Sequence, residues 1–168
     1  IRGGARILTT SENFLYAVEE KGPKETLLLV FDAKDPEHLR KTGETVIDQK
    51  AYALTAVANH LYLLEGGIWG DRELSILDTT VSGALQRVGT IKIKQADRLA
   101  VEGNRAYVQG FLQVNSVDIS KPDKPKIVAT ADLSAVPLSA SDIEAKQGIV
   151  YIAAAEGGVY ILKDKSLN

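Results

Sequence analysis

A pattern that recurs about every 45 residues constrains the fold of this chain more than any other feature of its sequence. A strand-like stretch ending in tyrosine occurs four times, with the tyrosines 46, 45 and 44 residues apart, at Tyr16, Tyr62, Tyr107 and Tyr151. An alanine stands eleven residues before each of them, at Ala5, Ala51, Ala96 and Ala140. A third marker, an aspartate that ends a later apolar run, occurs at Asp32, Asp78 and Asp118. Because these markers recur in the same order along the chain, we interpret it as a tandem repeat.

The third copy shows most clearly how one unit is built. The sequence predicts strands over residues 98–102, 106–109, 112–119 and 126–131. Gly103-Asn104 suits the positive φ of a tight hairpin, and Pro122 and Pro125 fix φ in the next turn. Helical periodicity is absent from the unit. Four short antiparallel strands in each 45-residue unit are typical of a β-propeller blade.

The predicted fold is therefore all-β, a single propeller over residues 1–168 with repeats near 5–50, 51–95, 96–139 and 140–168. The alternatives are a solenoid and a β-sandwich, but a β-sandwich does not require a sequence repeat of about 45 residues. The last repeat is incomplete, and four blades are the lower limit of a closed ring. We therefore expect a larger propeller, completed by another part of the same protein or by a second chain. A homodimer with eight blades is one such arrangement.

The composition narrows the class of protein further. A net charge of −2 argues against a nucleic-acid partner, and no apolar run is long enough for a membrane-spanning helix. The absence of Cys excludes disulfides and thiolate metal sites, and it suits an exported protein. No Met stands at position 1, so we expect that Ile1 is not the encoded start. No secretory signal is visible in this stretch.

Three segments resemble one known repeat. VDISKPDKPKIV at 117–128, GNRAYV at 103–108 and EGGVYIL at 156–162 are similar to elements of the LVIVD-repeat β-propeller family. The third copy matches best, whereas the second has lost both prolines of the turn. The resemblance implies a propeller that is secreted or displayed on the cell surface of bacteria or archaea. Members mostly lack an assigned activity, so the resemblance supplies no catalytic residues.

The start of each inner strand is the first candidate site, because propeller ligands commonly bind at the mouth of the central channel. The residues beside the recurring alanines form a ring of mixed charge with one aromatic side chain: Arg6, Tyr52, Asp97, Arg98 and Asp142. Such a ring could bind a polar or charged ligand. Alternatively, these charges pair with one another and with water at a solvated opening.

The segment GGIWGDREL at 66–74 is the second candidate, since it holds the only Trp. Trp69, with Asp71 and Arg72 beside it, resembles a protein contact site, because Trp and Arg are enriched at binding hot spots. Alternatively, Trp69 folds back over a blade edge. The charged segment 19–26 is the corresponding loop of the first copy.

The sequence lacks the motifs of known catalytic and metal sites. His38 and His60 occupy different parts of their repeats, so we expect solvated histidines, no metal and no cofactor. The glycine pairs 66–67 and 157–158 are predicted to be turns with positive φ. We interpret the chain as a non-enzymatic module for protein interaction or scaffolding, at the cell surface or in an extracellular assembly. The alternative is a propeller enzyme or small-ligand sensor that uses the channel mouth.

Overall fold

The computed structural model describes residues 4–22, 25–67, 69–81, 84–134, 140–154 and 157–164. These residues form four separate antiparallel sheets, each folded as a meander in which neighbouring strands follow one another in the sequence. The first sheet, blade 1, contains β1 (Ala5–Ser11), β2 (Phe14–Gly22), β3 (Glu25–Asp32) and β4 (Arg40–Ile47). Blade 2 contains β5 (Lys50–Val57), β6 (His60–Gly66), β7 (Arg72–Asp78) and β8 (Gln86–Ile93).

The second half of the chain repeats this arrangement. Blade 3 contains β9 (Ala96–Glu102), β10 (Arg105–Gly110), β11 (Gln113–Asp118) and β12 (Lys126–Asp132). Blade 4 contains three strands within the described residues: β13 (Ala140–Lys146), β14 (Ile149–Ala154) and β15 (Gly158–Lys163). The predicted strands of the third copy are confirmed to within two residues at each end. No helix in the described part of the chain is long and apolar enough to cross a membrane.

The blades stack face to face, with the first strand of each on the inside. Inner strands β1, β5, β9 and β13 contact one another in that order, and comparable packing between β13 and β1 is not seen among the described residues. Three apolar clusters fill the three junctions between consecutive blades. Of the recurring alanines, Ala51 and Ala96 lie in these clusters, so the small side chain lets one inner strand approach the blade before it.

The segment 19–26 is not the loop that its charges suggested. β2 runs to Gly22 and β3 begins at Glu25, and the two strands pair through Glu19–Leu27 and Glu20–Thr26. Residues 23 and 24 of the segment lie outside the described part. The prediction was wrong because charged residues near the end of a strand pair look the same in sequence as a solvated loop.

The hairpin between the first two strands uses one geometry in every copy. Its first turn residue has a positive φ of 50° at Glu12, 49° at Ala58, 53° at Gly103 and 54° at Gln147. Only the third copy places glycine there, where L side chains are strained. The predicted turn at Gly103 is thus confirmed, and the other copies adopt it because the two flanking strands are held by the sheet.

Each of the recurring aspartates begins a turn. Each carboxylate accepts a hydrogen bond from the backbone N–H two residues later, in Asp32–Lys34 at 3.0 Å, Asp78–Thr80 at 2.7 Å and Asp118–Ser120 at 2.9 Å. The backbone hydrogen bonds from Thr80 and Ser120 are the main cause that lowers the pKa of Asp78 and Asp118. These bonds begin the turn that leads into the outermost strand.

We expect acid to destabilise the chain partly through these turns. The pKa of Asp78 and Asp118 is lower in the folded state, so the unfolded chain binds more protons as the pH falls through about 4. Their stabilising contribution is therefore complete above that pH and is lost below it. The urea midpoint at pH 7 and pH 3 should differ less for Asp78→Asn/Asp118→Asn than for the parent. Asp123→Asn is the control for charge removal, and an equal acid sensitivity of parent and double variant would contradict the prediction.

Candidate functional site

Every inner strand begins with a β-bulge, and the bulge selects one residue of each copy. The pairing of the first two strands skips one residue near the start of the inner strand, at Arg6, Tyr52, Asp97 and Ser141. A bulge leaves its extra residue outside the hydrogen-bonded ladder and re-aims the side chain. None of the four is buried. Three of the predicted channel-mouth residues thus occupy one equivalent position, and Arg98 and Asp142 directly follow it.

Two bulge residues are joined across the junction of blades 2 and 3 by Arg72, the first residue of β7. The guanidinium carbon of Arg72 lies 3.8 Å from the ring centroid of Tyr52, within the range of a cation–π contact. Its Nη2 atom lies 3.5 Å from a carboxylate oxygen of Asp97. We call Tyr52, Arg72 and Asp97 the mouth cluster. It unites residues that the sequence assigned to two different sites.

The mouth cluster also fixes the loop that follows β6. The hydroxyl of Tyr52 donates a hydrogen bond to the carbonyl of Gly67 at 2.8 Å. Arg72 donates from Nη1 to the carbonyl of Gly70 at 3.0 Å. These two bonds hold both sides of the loop that carries Trp69.

Gly66 makes room for the buried arginine. A Cβ atom at this position would lie 2.7 Å from Cδ of Arg72, which is closer than real contacts allow. Gly66 and Gly67 do not adopt the positive φ that the sequence predicted, whereas Gly158 does, with φ of 79°. The reason for glycine at position 66 is therefore the close approach of Arg72, which local sequence reasoning could not reveal.

The remaining channel-mouth residues are engaged elsewhere. Arg6 forms an ion pair with Glu20 of its own blade, at 2.7 Å. Arg98 donates from Nε to the carbonyl of Ser141 at 3.0 Å, which ties blade 3 to blade 4. Asp142 accepts a hydrogen bond from the backbone N–H of Ile143 at 2.9 Å. The predicted ring of charges is thus split into separate pairs, and its role in ligand binding stays a prediction.

The Trp69 loop divides into an exposed tip and a buried base. Trp69 is 91% exposed, and Asp71 is exposed as well. Trp69 therefore does not fold back over a blade edge. Arg72 is only 7% exposed, so it belongs to the mouth cluster and not to the surface around Trp69. Partner binding through Trp69, Asp71 and Arg72 stays a prediction.

A second exposed apolar loop occupies the same place in blade 3. Phe111 is 64% exposed and Leu112 is 46% exposed, and both lie between β10 and β11. The sequence did not single out Phe111, and it predicted a strand that includes Leu112. The signal was available, because two adjacent apolar residues after Gly110 interrupt the alternation of a half-buried strand.

The two histidines are far from forming a joint site. The imidazole of His38 lies 2.9 Å from Asp35 in an exposed turn, whereas His60 contacts the ring of Tyr62 in blade 2. In the described ranges, no group of three or more His, Asp or Glu side chains could hold a metal ion.

Comparisons with known proteins bear on the fold. No protein-family model matches the chain, and no curated protein matches its sequence. Solved structures do match. A glutaminyl cyclase from Myxococcus xanthus is 16% identical, with a TM-score of 0.57 over 95% of this chain and 71% of the other. The computationally designed Ika4 protein is 14% identical, with a TM-score of 0.61 over 97% of this chain and 92% of the other.

BamB from Moraxella catarrhalis gives a TM-score of 0.65 at 16% identity, over 94% of this chain and 44% of BamB. Both the glutaminyl cyclase and BamB are β-propellers. At such identities the likeness shows the fold alone, and the resemblance to LVIVD repeats stays a prediction. The sheets of this chain and its structural neighbours together confirm that it has the β-propeller fold.

Proposed function

We propose that this chain is a non-enzymatic propeller module that binds a protein partner through the end at which its inner strands begin. The observation that carries the proposal is the exposure of Trp69 and Phe111 on equivalent loops of neighbouring blades. Large aromatic side chains are enriched in the buried centre of protein interfaces and among hot spots. Their exposure in adjacent loops is therefore better explained by a partner than by the fold.

Both loops extend from the same end of the propeller. The end of β6 lies beside the start of β5, where Gly66 pairs with Lys50, and Gly110 at the end of β10 pairs with Ala96 at the start of β9. The Trp69 loop and the Phe111 loop therefore leave the blades at the end that carries the bulge residues. We call this end the loop face.

The mouth cluster supports the proposal because it organises the loop before a partner arrives. Tyr52 and Arg72 bond the carbonyls of Gly67 and Gly70 on either side of Trp69. A loop held in one conformation loses less entropy on binding. In this interpretation Tyr52 and Arg72 act through the position of Trp69.

The competing function is a small-ligand sensor or enzyme at the channel mouth. It has less support, since Arg6 and Arg98 are already held by Glu20 and by backbone carbonyls. The strongest support for this competing function comes from Asp97, because half of its side chain is exposed beside Arg72. We propose a location outside the cytoplasm on two grounds, the absence of Cys and the resemblance to secreted or cell-surface repeats.

Site-specific photo-crosslinking in cells of the native source tests the proposal. A photoreactive amino acid replaces Trp69, Phe111 or Val81 in turn. Val81 is the matched control, since it is 65% exposed in a turn between the third and fourth strands, at the opposite end of its blade. We expect one discrete protein adduct from positions 69 and 111 and none from position 81.

Truncation of the aromatic side chains completes the test. With the crosslinked protein in purified form, Trp69→Ala or Phe111→Ala should weaken binding at least about tenfold, as hot-spot residues do. Asp142→Asn, at a predicted channel-mouth residue outside the mouth cluster, should leave this affinity unchanged. Equal adducts at all three positions, or no adduct at any, would overturn the proposal, and binding lost only in Asp142→Asn would favour the channel mouth.

A further inference from the structure

The stacking of blades within the chain uses the same positions in each copy. We call the side of a blade that packs on the next blade its forward face, and the other side its backward face. The forward face of blade 1 carries Tyr16 and Val30, which pair across strands, and blade 2 carries Tyr62 and Ile76 in the same places. All four are at most 4% exposed. They lie in the apolar clusters at the first and second junctions.

Blade 4 presents the same pattern to solvent. Tyr151 pairs with Ile161, as Tyr16 pairs with Val30, and Ala153 pairs with Val159 two residues further along. Tyr151 is 37% exposed, Val159 is 65% exposed and Ile161 is 64% exposed. The forward face of blade 4 is therefore built for stacking but packs against nothing in the described part of the chain.

Among the described residues, no other blade packs on the backward face of blade 1 either. Leu8 is 60% exposed, whereas its equivalents Leu54, Leu99 and Ile143 are 6%, 8% and 3% exposed because each packs on the preceding blade. Beside Leu8 is a groove of about 640 Å³. Its apolar lining comes from Leu8, Leu15, Ala17, Leu27, Leu29 and Phe31.

We propose that a second copy of this chain covers both ends. The forward face of blade 4 in each copy packs into the groove on the backward face of blade 1 in the other, which makes a two-fold ring of eight blades. The contact continues an interface that the chain already forms three times, forward face on backward face. A head-to-tail contact either closes into a ring or grows into a filament, and the proposed two-fold arrangement is the closed form. This inference is independent of the partner proposed for the loop face.

Charge complementarity at the rim points to a second copy in particular. At the first and third junctions, the last residue of the inner strand reaches the hairpin of the next blade: Ser11 donates to the carbonyl of Ala58, and Glu102 accepts from the N–H groups of Gln147 and Gly148. Lys146 holds this position in blade 4.

The hairpin that Lys146 would meet in a second copy begins at Glu12, the counterpart of Ala58 and Gln147. Lys146 and Glu12 are both exposed in the single chain. The docking that buries the two apolar faces therefore also brings opposite charges together, once at each of the two junctions.

The mass of the 168-residue chain in solution tests the ring. Sedimentation velocity and native mass spectrometry, over a wide range of protein concentration, should give a species of twice the 18.1 kDa chain mass. A species of 18.1 kDa at every concentration would overturn the proposal. A series of ever larger assemblies would overturn it too, because it would show an open filament.

Two sets of variants test the faces. Ile161→Asp should convert the dimer to a monomer with an unchanged circular dichroism spectrum. Val81→Asp, at a site of similar exposure outside both faces, should remain dimeric. Lys146→Glu should raise the dimer dissociation constant about tenfold, since both junctions then oppose like charges. Adding Glu12→Lys to Lys146→Glu should restore the dissociation constant of the parent dimer. A dimer that survives Ile161→Asp, or a charge exchange that restores nothing, would overturn this arrangement.

Discussion

Replacing Gly89 with alanine is expected to destabilise the propeller by about 3 kcal/mol, because there is no space for a methyl group in this part of the junction between blades 2 and 3. Gly89 lies in β8, and a Cβ atom there would stand 1.9 Å from the carbonyl oxygen of Pro122. It would also stand 3.2 Å from Cδ of Pro125. The proline turn of blade 3 thus rests directly on the backbone of the neighbouring blade.

Urea unfolding followed by circular dichroism measures this effect, and Gly22→Ala is the matched control. Gly22 is also in a strand, but a Cβ atom there meets nothing within 4 Å. Its substitution should change the free energy of unfolding by less than about 1 kcal/mol. Because the obstacle is a backbone carbonyl, adding Pro122→Gly to Gly89→Ala should not restore stability. Equal midpoints for Gly89→Ala and Gly22→Ala would show that the two blades separate easily here.

Removal of the Arg87 side chain is expected to have an effect of similar size, for an electrostatic reason. Glu65 is 1% exposed on the backward face of blade 2. Arg87 donates to its carboxylate at 2.8 Å, and the hydroxyl of Ser75 donates to it at 2.6 Å. Arg87→Ala would leave a buried carboxylate without its counter-ion. Such losses cost 3–5 kcal/mol, and we expect about 3 kcal/mol because Arg87 itself is 43% exposed.

A double variant separates charge from packing in this cluster. If the buried charge causes the loss, Glu65→Gln/Arg87→Ala should be more stable than Arg87→Ala alone. Arg40→Ala is the control for a surface pair, since Arg40 is 81% exposed and lies 3.8 Å from Asp32. Its loss should cost less than about 1 kcal/mol. Equal free energies of unfolding for Arg87→Ala and Arg40→Ala would contradict the prediction.

The repeat allowed most of the fold to be predicted. Periodic markers such as Tyr62 and Asp78 identify positions that have the same role in each blade. Strands and turns could also be predicted, because strand alternation and turn chemistry depend on residues that are close in sequence. The contacts between blades were not predictable in this way. Pro122 is 33 residues from Gly89 in the chain, and nothing in either segment signals that the two meet. A glycine recurs at Gly43 and Gly89, 46 residues apart, and that recurrence was the available signal.

The sequence predicted part of the geometry of the candidate site. Position in the repeat singled out Arg6, Tyr52 and Asp97, and each of them occupies the bulge at the start of its inner strand. It could not show that Arg72 leaves the surface loop to stack on Tyr52, because a charged side chain near Trp looks exposed in a sequence. The partners of a cation depend on tertiary packing, which has no sequence period.

The bulge at the start of each inner strand has a consequence for how such a ring can diversify. One residue per repeat stands outside the backbone ladder, so the pairing of the two strands does not constrain its identity. In this chain the four positions hold a cation, an aromatic ring, an anion and a hydroxyl. A substitution at one bulge position can thus change the chemistry of the rim, while the strand pairing that holds the blade together is retained.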